Sequence, residues 1–197
     1  MKEIILIKNG ELALKGLNRC TFEDIMIKNI KRRLKDLGKI EVRKAQSAIY
    51  IEPKEEDYDF EEALSRVSLI FGIAAFSRAC VCEKSMDDII EKSVVYLADT
   101  LKNVKAFKVE AKRSDKKFPL KSPEICRELG GVLLSNFPHL KVDVHEPDIV
   151  VNVEIRDFSA YVRGEQLQGA GGLPVGTAGT ASILISGGID SPVAAWT

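Results

Sequence analysis

The chain has 197 residues, of which 45% are hydrophobic and 29% are charged, and its 29 basic and 29 acidic side chains balance. Its length suits one large domain or two small ones, and its composition is ordinary for a soluble globular protein. No apolar run approaches the roughly 20 residues of a membrane span, and the short apolar stretch after Met1 is not a signal peptide, which excludes membrane-spanning and secreted proteins. We therefore expect a cytoplasmic protein, in which only local clusters of charge can indicate a nucleic-acid partner.

The first part of the sequence predicts two helices among four strands. A strand over 4–7 and a loop over 11–18 precede a helix that starts at the capping-box-like sequence Thr21-Phe22-Glu23-Asp24. This helix keeps its apolar residues near one face and can end at Gly38; those residues are Ile25, Ile30, Leu34 and Leu37. The next elements are strands over 40–44 and 48–52, a helix over 60–70 and a strand over 74–82. The order β-α-β-β-α-β predicts a ferredoxin-like unit.

A second unit with helices and strands follows. Ser85 caps a predicted helix that runs to residue 101, and a strand over 106–111 comes next. Ser122 is the predicted N-cap of a helix through residue 134, with Pro123 in its first turn. Strands over 149–155 and 159–162 form a predicted hairpin that turns at Arg156-Asp157, and the glycine-rich segment 169–179 predicts a flexible linker.

The most informative local pattern is a glycine loop near residue 190. A predicted strand over 183–185 leads into Ser186-Gly187-Gly188-Ile189-Asp190-Ser191, and Pro192 opens a helical segment with Ser191 as its N-cap. Glycine lets the backbone approach a ligand closely, and a helix N-terminus favours an anion, so the pattern predicts a phosphate site for ATP. Asp190 is unusual beside an anion unless it holds Mg²⁺ or orients the nucleotide. The alternative is an ordinary strand–turn–helix connection; Walker and dinucleotide patterns are absent.

Two clusters of basic residues stand out. The first lies on the predicted first helix, where the usual meaning is a solvated face; its members are Lys28, Lys31, Arg32, Arg33, Lys35 and Lys39. The second lies between a strand and a helix, with Phe118 and Pro119 as anchors and one acidic residue; its cations are Lys112, Arg113, Lys116, Lys117 and Lys121, which Arg127 can join. Such a loop can present several cations to an RNA or DNA backbone, although a solvated loop remains the alternative.

The four cysteines and two histidines do not form a metal-binding pattern. Cys80 and Cys82 are two residues apart in a predicted strand, so their side chains point to the same face. No second pair completes a zinc site. We therefore expect buried free thiols, including Cys20 and Cys126, and assign no metal ligands. His139 and His145 are isolated and are expected at the surface or at strand ends.

Four motifs, taken together and in their order along the chain, resemble those of one family of enzymes. Residues 183–191 resemble the PP-loop of ATP pyrophosphatases, and Lys112-Arg113-x-x-Lys116-x-Phe118-Pro119-x-x-Ser122-x-Glu124 resembles the central motif of THUMP domains. Gly10-Glu11-Leu12-Ala13-Leu14-Lys15-Gly16-x-Asn18-Arg19 and Gly169-x-Gly171-Gly172-Leu173-Pro174-Val175-Gly176 resemble the N-terminal and linker signatures of the ThiI-type tRNA sulfurtransferases, or tRNA 4-thiouridine synthetases. The resemblance covers essentially the whole chain.

The resemblance implies an α/β (α+β) fold in four parts. These are a ferredoxin-like domain over 1–76, a THUMP RNA-binding domain over 77–165, a glycine-rich linker over 166–181 and the truncated start of a PP-loop domain over 182–197. It implies that the ATP-binding residues are Leu184, Ile185, Ser186, Gly187, Gly188, Asp190 and Ser191, with Asp190 as the one catalytic candidate. The RNA-binding residues implied are Lys15, Arg19, Lys112, Arg113, Lys116, Lys117, Lys121 and Arg127.

The activity that the resemblance implies is thiolation of a tRNA uridine. In that family ATP, with Mg²⁺, adenylates O4 of the uridine at position eight, and a cysteine persulfide, charged by a cysteine desulfurase, supplies the sulfur. Some members also serve thiazole synthesis for thiamine, and a homodimer is compatible with the resemblance.

The position of the persulfide cysteine limits what this chain is expected to do. The resemblance implies that this cysteine lies beyond Thr197, and none of the four cysteines here matches it. We therefore expect a truncated form that binds tRNA without thiolating it. The alternatives are a non-catalytic RNA-binding adaptor and an ATP pyrophosphatase of a pathway without RNA.

Overall fold

The computed structural model describes residues 1–10, 16–45, 48–180 and 182–196. The strands are β1 (Glu3–Asn9), β2 (Ile40–Ala45), β3 (Ala48–Pro53), β4 (Ile73–Cys82), β5 (Ala106–Arg113), β6 (Lys141–Val142), β7 (Ile149–Ile155), β8 (Ala160–Arg163) and β9 (Leu167–Gln168). The helices are a 3₁₀ turn (Gly16–Asn18), α1 (Arg19–Arg33), α2 (Phe60–Ser68), α3 (Met86–Tyr96), α4 (Ala98–Lys102), α5 (Ser122–Asn136) and α6 (Asp190–Trp196). In the described part of the chain, no helix is long and apolar enough to cross a membrane.

The first four strands and two helices form the predicted ferredoxin-like unit. The strands lie in the order β2-β3-β1-β4, and every neighbouring pair is antiparallel. Alternate residues of β1, such as Ile5 and Ile7, are fully buried beneath Met26 and Ile30 of α1. Burial of this one face is the main force that holds the helices on the sheet.

The second unit continues the same sheet. β5 and β7 are parallel, β7 and β8 are antiparallel, and α3 and α5 cover one face of these strands. β8 also pairs with the end of β4, where Cys80 lies opposite Val162 and Cys82 lies opposite Ala160. β4 therefore belongs to both units, and the nine strands form one sheet.

Helix termini differ from the prediction at several points. Ser85 caps α3 as expected, and its Oγ accepts a 3.3 Å hydrogen bond from Asp88 N. The predicted starts of α1 and α5 were wrong. Helix α1 starts at Arg19, before Thr21. Lys121 rather than Ser122 is the N-cap of α5, and Glu124 Oε2 accepts a 2.6 Å hydrogen bond from Lys121 N. The single helix predicted over 85–101 is two helices, which break at Leu97.

The glycine-rich segment was wrongly predicted to be a flexible linker. β9 pairs with β4, Gly169 N and Gly171 N donate to the carbonyls of Ala74 and Ile73, and Gly171 O accepts from Gly72 N at 2.7 Å. Leu173 packs on the ferredoxin-like core, and Asn29 Nδ2 donates to Val175 O at 3.0 Å. We call residues 167–177 the strap, because they run along the ferredoxin-like unit and form hydrogen bonds with it.

The two faces of the sheet are covered differently. Helices cover one face, whereas the opposite face, here called the open face, carries a smaller apolar cluster with no helical member among the described residues. Ile4 and Leu6 of β1 point to the open face because residues alternate along a strand. They pack there with Tyr50 and Ala79, and Tyr161 of β8 joins them from the second unit.

Candidate nucleic-acid interface and nucleotide-binding segment

The predicted RNA-binding loop, residues 112–121, connects β5 to α5 and is called the basic loop. Lys112, Lys116, Lys117 and Lys121 are exposed, and Arg127 is exposed on the first turns of α5. None of these five residues takes part in an ion pair with a described residue. The loop therefore offers uncompensated positive charge to solvent, which is the electrostatic requirement for phosphate contact.

The basic loop is held from inside by two of its own residues. Phe118 is 5% exposed and belongs to the core beneath α5. Arg113 Nη1 donates to the carbonyl oxygens of Phe118 at 2.9 Å and Leu120 at 3.1 Å. Arg113 therefore helps to shape the loop through its Nη1, and its contact with RNA stays a prediction.

The acidic residue of the basic loop is neutralised by a lysine outside it. Asp115 Oδ1 accepts a 2.8 Å hydrogen bond from Lys117 N, and Asp115 Oδ2 lies 2.5 Å from Lys84 Nζ. The hydrogen bond from Lys84, followed by that from the Lys117 amide, lowers the pKa of the Asp115 carboxyl. Asp115 therefore stays ionised and paired, and does not cancel the charge of the exposed lysines.

Lys84 also ties the basic loop to the hairpin of β7 and β8. Its Nζ donates to Asp157 O at 2.9 Å, while Ser114 N donates to Ile155 O at 2.9 Å. Lys84 could not be recognised from the sequence, because its partners Asp115 and Asp157 both lie far along the chain from it. Only the tertiary structure brings the three residues together.

The remaining RNA candidates lie near the N-terminus. Lys15 falls outside the described residues. Arg19 begins α1 and forms a 2.7 Å ion pair with Glu23, so it is partly compensated. The basic cluster on α1 is exposed, as predicted for a solvated face.

The predicted nucleotide-binding segment is exposed to solvent, and its described residues form no strand. Residues 183–185 are not paired, although a strand was predicted there, since an apolar run needs a neighbouring strand to form a sheet. Leu184 and Ile185 are 96% and 72% exposed. The prediction of Ser191 as an N-cap was also wrong, because α6 begins at Asp190. Thr197, the last residue of the predicted PP-loop fragment, falls outside the described residues.

The loop itself fits phosphate chemistry. Ser186 Oγ lies 3.1 Å from Ser191 Oγ, and these hydroxyls accept hydrogen bonds from Gly188 N at 3.3 Å and Ser186 N at 3.1 Å, respectively. Apart from its two chain neighbours, no described residue lies within 4 Å of the position of a Cβ on Gly187, so a ligand can approach this backbone. Hydroxyl groups and open backbone are suitable partners for phosphate oxygens.

The cysteines are only partly where the sequence predicted them. Cys80 and Cys82 are buried free thiols as expected, but Cys20 is exposed and Cys126 is half-buried. Burial raises the pKa of the Cys126 thiol. Among the described residues, no group of three or more His, Cys, Asp and Glu side chains could hold a metal ion.

Comparisons with known proteins agree with this architecture. A family model for the ThiI ferredoxin-like domain matches residues 4–77, and a THUMP domain model matches residues 83–163. Two curated relatives, both called probable tRNA sulfurtransferase, are 49% identical (Acetivibrio thermocellus) and 46% identical (Caldanaerobacter subterraneus subsp. tengcongensis) over the whole chain. The chain therefore contains a ThiI ferredoxin-like domain followed by a THUMP domain.

The fold of the chain also matches a solved structure. A crystal structure of a 4-thiouridine synthetase in complex with RNA and bound ATP superposes with a TM-score of 0.87 at 35% identity, over 100% of this chain and 49% of that one. The chain likewise covers 50% of each of the two curated relatives, so it spans about half of their length.

Proposed function

We propose that this chain is the tRNA-binding part of a sulfurtransferase that converts uridine 8 of tRNA to 4-thiouridine. The observation that carries the proposal is the basic loop, a set of exposed lysines on a THUMP domain that form no ion pair with any described residue. Its relatives are called tRNA sulfurtransferases, and the related solved structure holds RNA, which supports tRNA as the ligand. A cytoplasmic location suits a protein that acts on tRNA.

The nucleotide-binding segment would bind ATP in the proposed reaction. Ser186, Gly187, Gly188 and Ser191 would bind the phosphates of ATP, and Asp190 would orient the nucleotide or its Mg²⁺, while Leu184 and Ile185 would lie on the adenosine side. ATP supplies the activation that turns the uridine oxygen into a leaving group. The ATP bound in the related structure supports this assignment.

The sulfur-carrying cysteine belongs to the part of the enzyme that this chain does not include. We place it beyond Thr197, and the half of the relatives' length that the chain leaves uncovered supports this placement. The sulfur would come from a cysteine desulfurase, and supply of sulfur for thiamine synthesis remains part of the proposal. Residues 1–197 alone should therefore bind tRNA but form no 4-thiouridine.

The first prediction tests tRNA binding by the basic loop. Replacing Lys116, Lys117 and Lys121 by Gln should weaken tRNA binding and make it less dependent on salt, because each lost phosphate contact removes about 0.7–0.9 from the slope of log K against log salt. Fluorescence anisotropy with labelled tRNA at several salt concentrations measures both effects.

The matched control removes the same charge from another surface. Lys28, Lys31 and Lys35 are exposed on or next to α1, so their triple Gln variant should reduce affinity much less. Equal losses in the two triple variants would mean that net charge alone governs binding, and the basic loop would then have no special role.

A second test separates binding from chemistry. In the full-length protein, Asp190→Ala and Ser191→Ala should abolish 4-thiouridine formation while leaving tRNA affinity unchanged. Formation of 4-thiouridine is followed by its absorbance in tRNA after reaction with ATP, cysteine and the desulfurase. Normal thiolation by both variants would refute the assignment of this segment.

A further inference from the structure

A second concentration of positive charge lies on the open face of the sheet, beside the basic loop. A cavity of about 360 Å³ opens there between β1, β5, β7 and β8. Its charged lining consists of Lys8, Lys112, Arg156, Arg163, Glu110 and Glu154. The cationic side chains thus outnumber the carboxylates by four to two.

The two carboxylates are already engaged. Glu154 is 5% exposed and lies 2.5 Å from Arg156 Nη2 and 3.4 Å from Arg163 Nη2, so a single carboxylate faces two guanidinium groups. Glu110 Oε1 lies 2.8 Å from Lys108 Nζ. Because Glu154 pairs with the two arginines and Glu110 pairs with Lys108, neither carboxylate forms an ion pair with Lys8 or Lys112.

Lys8 and Lys112 are the cations that the carboxylates leave uncompensated. Lys8 Nζ donates at 2.6 Å to Gln166 Oε1, which is neutral. Burial, followed by the charge of Arg163, lowers the pKa of Lys8. Lys112 is exposed and has no ion-pair partner within the described ranges.

Arg163 supplies the observation that points to a ligand. Its side chain is 3% exposed. Nη1 donates to Ser77 Oγ at 3.4 Å and Gln166 Oε1 at 3.5 Å, and Nη2 donates to Asn152 Oδ1 at 3.1 Å and Glu154 Oε1 at 3.4 Å. Its Nε alone finds no hydrogen-bond partner in the described part of the protein. An unpaired buried donor is unfavourable, and guanidinium groups match phosphate oxygens in geometry and charge. A bound anion at this cavity would stabilise both Arg163 and Lys8.

We propose that this cavity binds a phosphate group of the RNA, held by Lys8, Lys112 and Arg163. The inference rests on the proposed function, because Lys112 belongs both to the cavity and to the basic loop. It extends the RNA path from the THUMP domain to β1 of the ferredoxin-like unit. The phosphate is either a backbone phosphodiester or a terminal monoester, since both present the same oxygens.

The test removes the charge of Lys8 without changing its length. Lys8→Met keeps the aliphatic stem, and Lys31→Met on α1 is the matched control. We expect Lys8→Met to weaken tRNA binding severalfold and to lower the salt slope by about 0.7–0.9, the share of one phosphate. Equal affinities for the two variants would overturn the proposal, whereas loss of binding in the basic-loop triple variant alone would leave the proposed function intact.

A direct probe is the Arg163 Nε–H resonance in NMR spectra of the whole chain. It should shift saturably on addition of tRNA, and the shift should be lost in Lys8→Met. An RNA with a 5′-hydroxyl end in place of the 5′-phosphate distinguishes the two sources: a retained shift assigns a backbone phosphodiester, and a lost shift assigns the terminal phosphate. A resonance that responds to inorganic phosphate but not to tRNA would overturn the proposal, as would one that responds to neither.

Discussion

Asp115 is an acidic residue whose structural role in the basic loop opposes the electrostatic effect of its charge. A carboxylate among lysines would normally weaken an RNA-binding loop, yet this one fixes the turn at Lys117 and pairs with Lys84. Since an ordered loop presents its cations at lower entropic cost, the structural contribution of Asp115 should outweigh its electrostatic penalty.

We therefore predict that Asp115→Ala weakens tRNA binding severalfold, although it makes the basic loop more positive. Glu128→Ala, which removes an exposed carboxylate from the adjoining helix α5, is the control and should leave the affinity unchanged or slightly higher. Anisotropy titrations of both variants at one salt concentration decide the matter. Tighter binding by Asp115→Ala would show that simple charge counting is sufficient.

Several features of individual residues could be predicted from the sequence, and others could not. The lysines of the basic loop were recognisable from their density, and the cap at Ser85 from its local pattern. The inward position of Arg113 was not, because it depends on where the carbonyls of Phe118 and Leu120 point. The cluster around Glu154 was also missed, since its partners come from separate strands.

At the scale of elements, the strap is the part that sequence patterns described least well. Its glycines indicate flexibility when the segment is considered alone, but they permit close contact in the fold. A Cβ on Gly169 would lie 2.2 Å from Ile73 O, a backbone atom with no freedom to move away. The two-residue strands β6 and β9 were missed as well, because they are too short to show periodicity.

We predict that Gly169→Ala releases the strap from β4. The substitution should lower the free energy of unfolding by about 1–3 kcal/mol, the usual cost of overpacking, and should speed hydrogen exchange over residues 167–177. Gly131→Ala is the control: apart from its chain neighbours and the backbone of α5, no atom lies within 4 Å of its Cβ position, so it should be neutral or stabilising. Unchanged exchange in Gly169→Ala would show that the strap is not held by this contact.

At the scale of the whole molecule, β4 joins the two units into one sheet, because it pairs with β1 and with β8. The order of the elements allowed both units to be predicted from sequence, but their fusion into one sheet was not predicted, because pairing of Cys80 with Val162 joins residues far apart in the chain. This shared strand has a thermodynamic consequence. Opening either unit alone would leave one edge of β4 without hydrogen bonds, which is unfavourable for a buried strand.

The two units should therefore unfold together. Ile49 lies in the ferredoxin-like core and Ile155 in the THUMP core, and both are fully buried. Replacing either by Ala should destabilise the protein by about 2–5 kcal/mol and raise hydrogen exchange equally in β3 and in β7, because each cavity is felt by the same cooperative transition. If Ile49→Ala accelerated exchange only in the first unit, β4 would act as a hinge between two independent domains, and the open-face cavity that spans them would be a site of variable geometry.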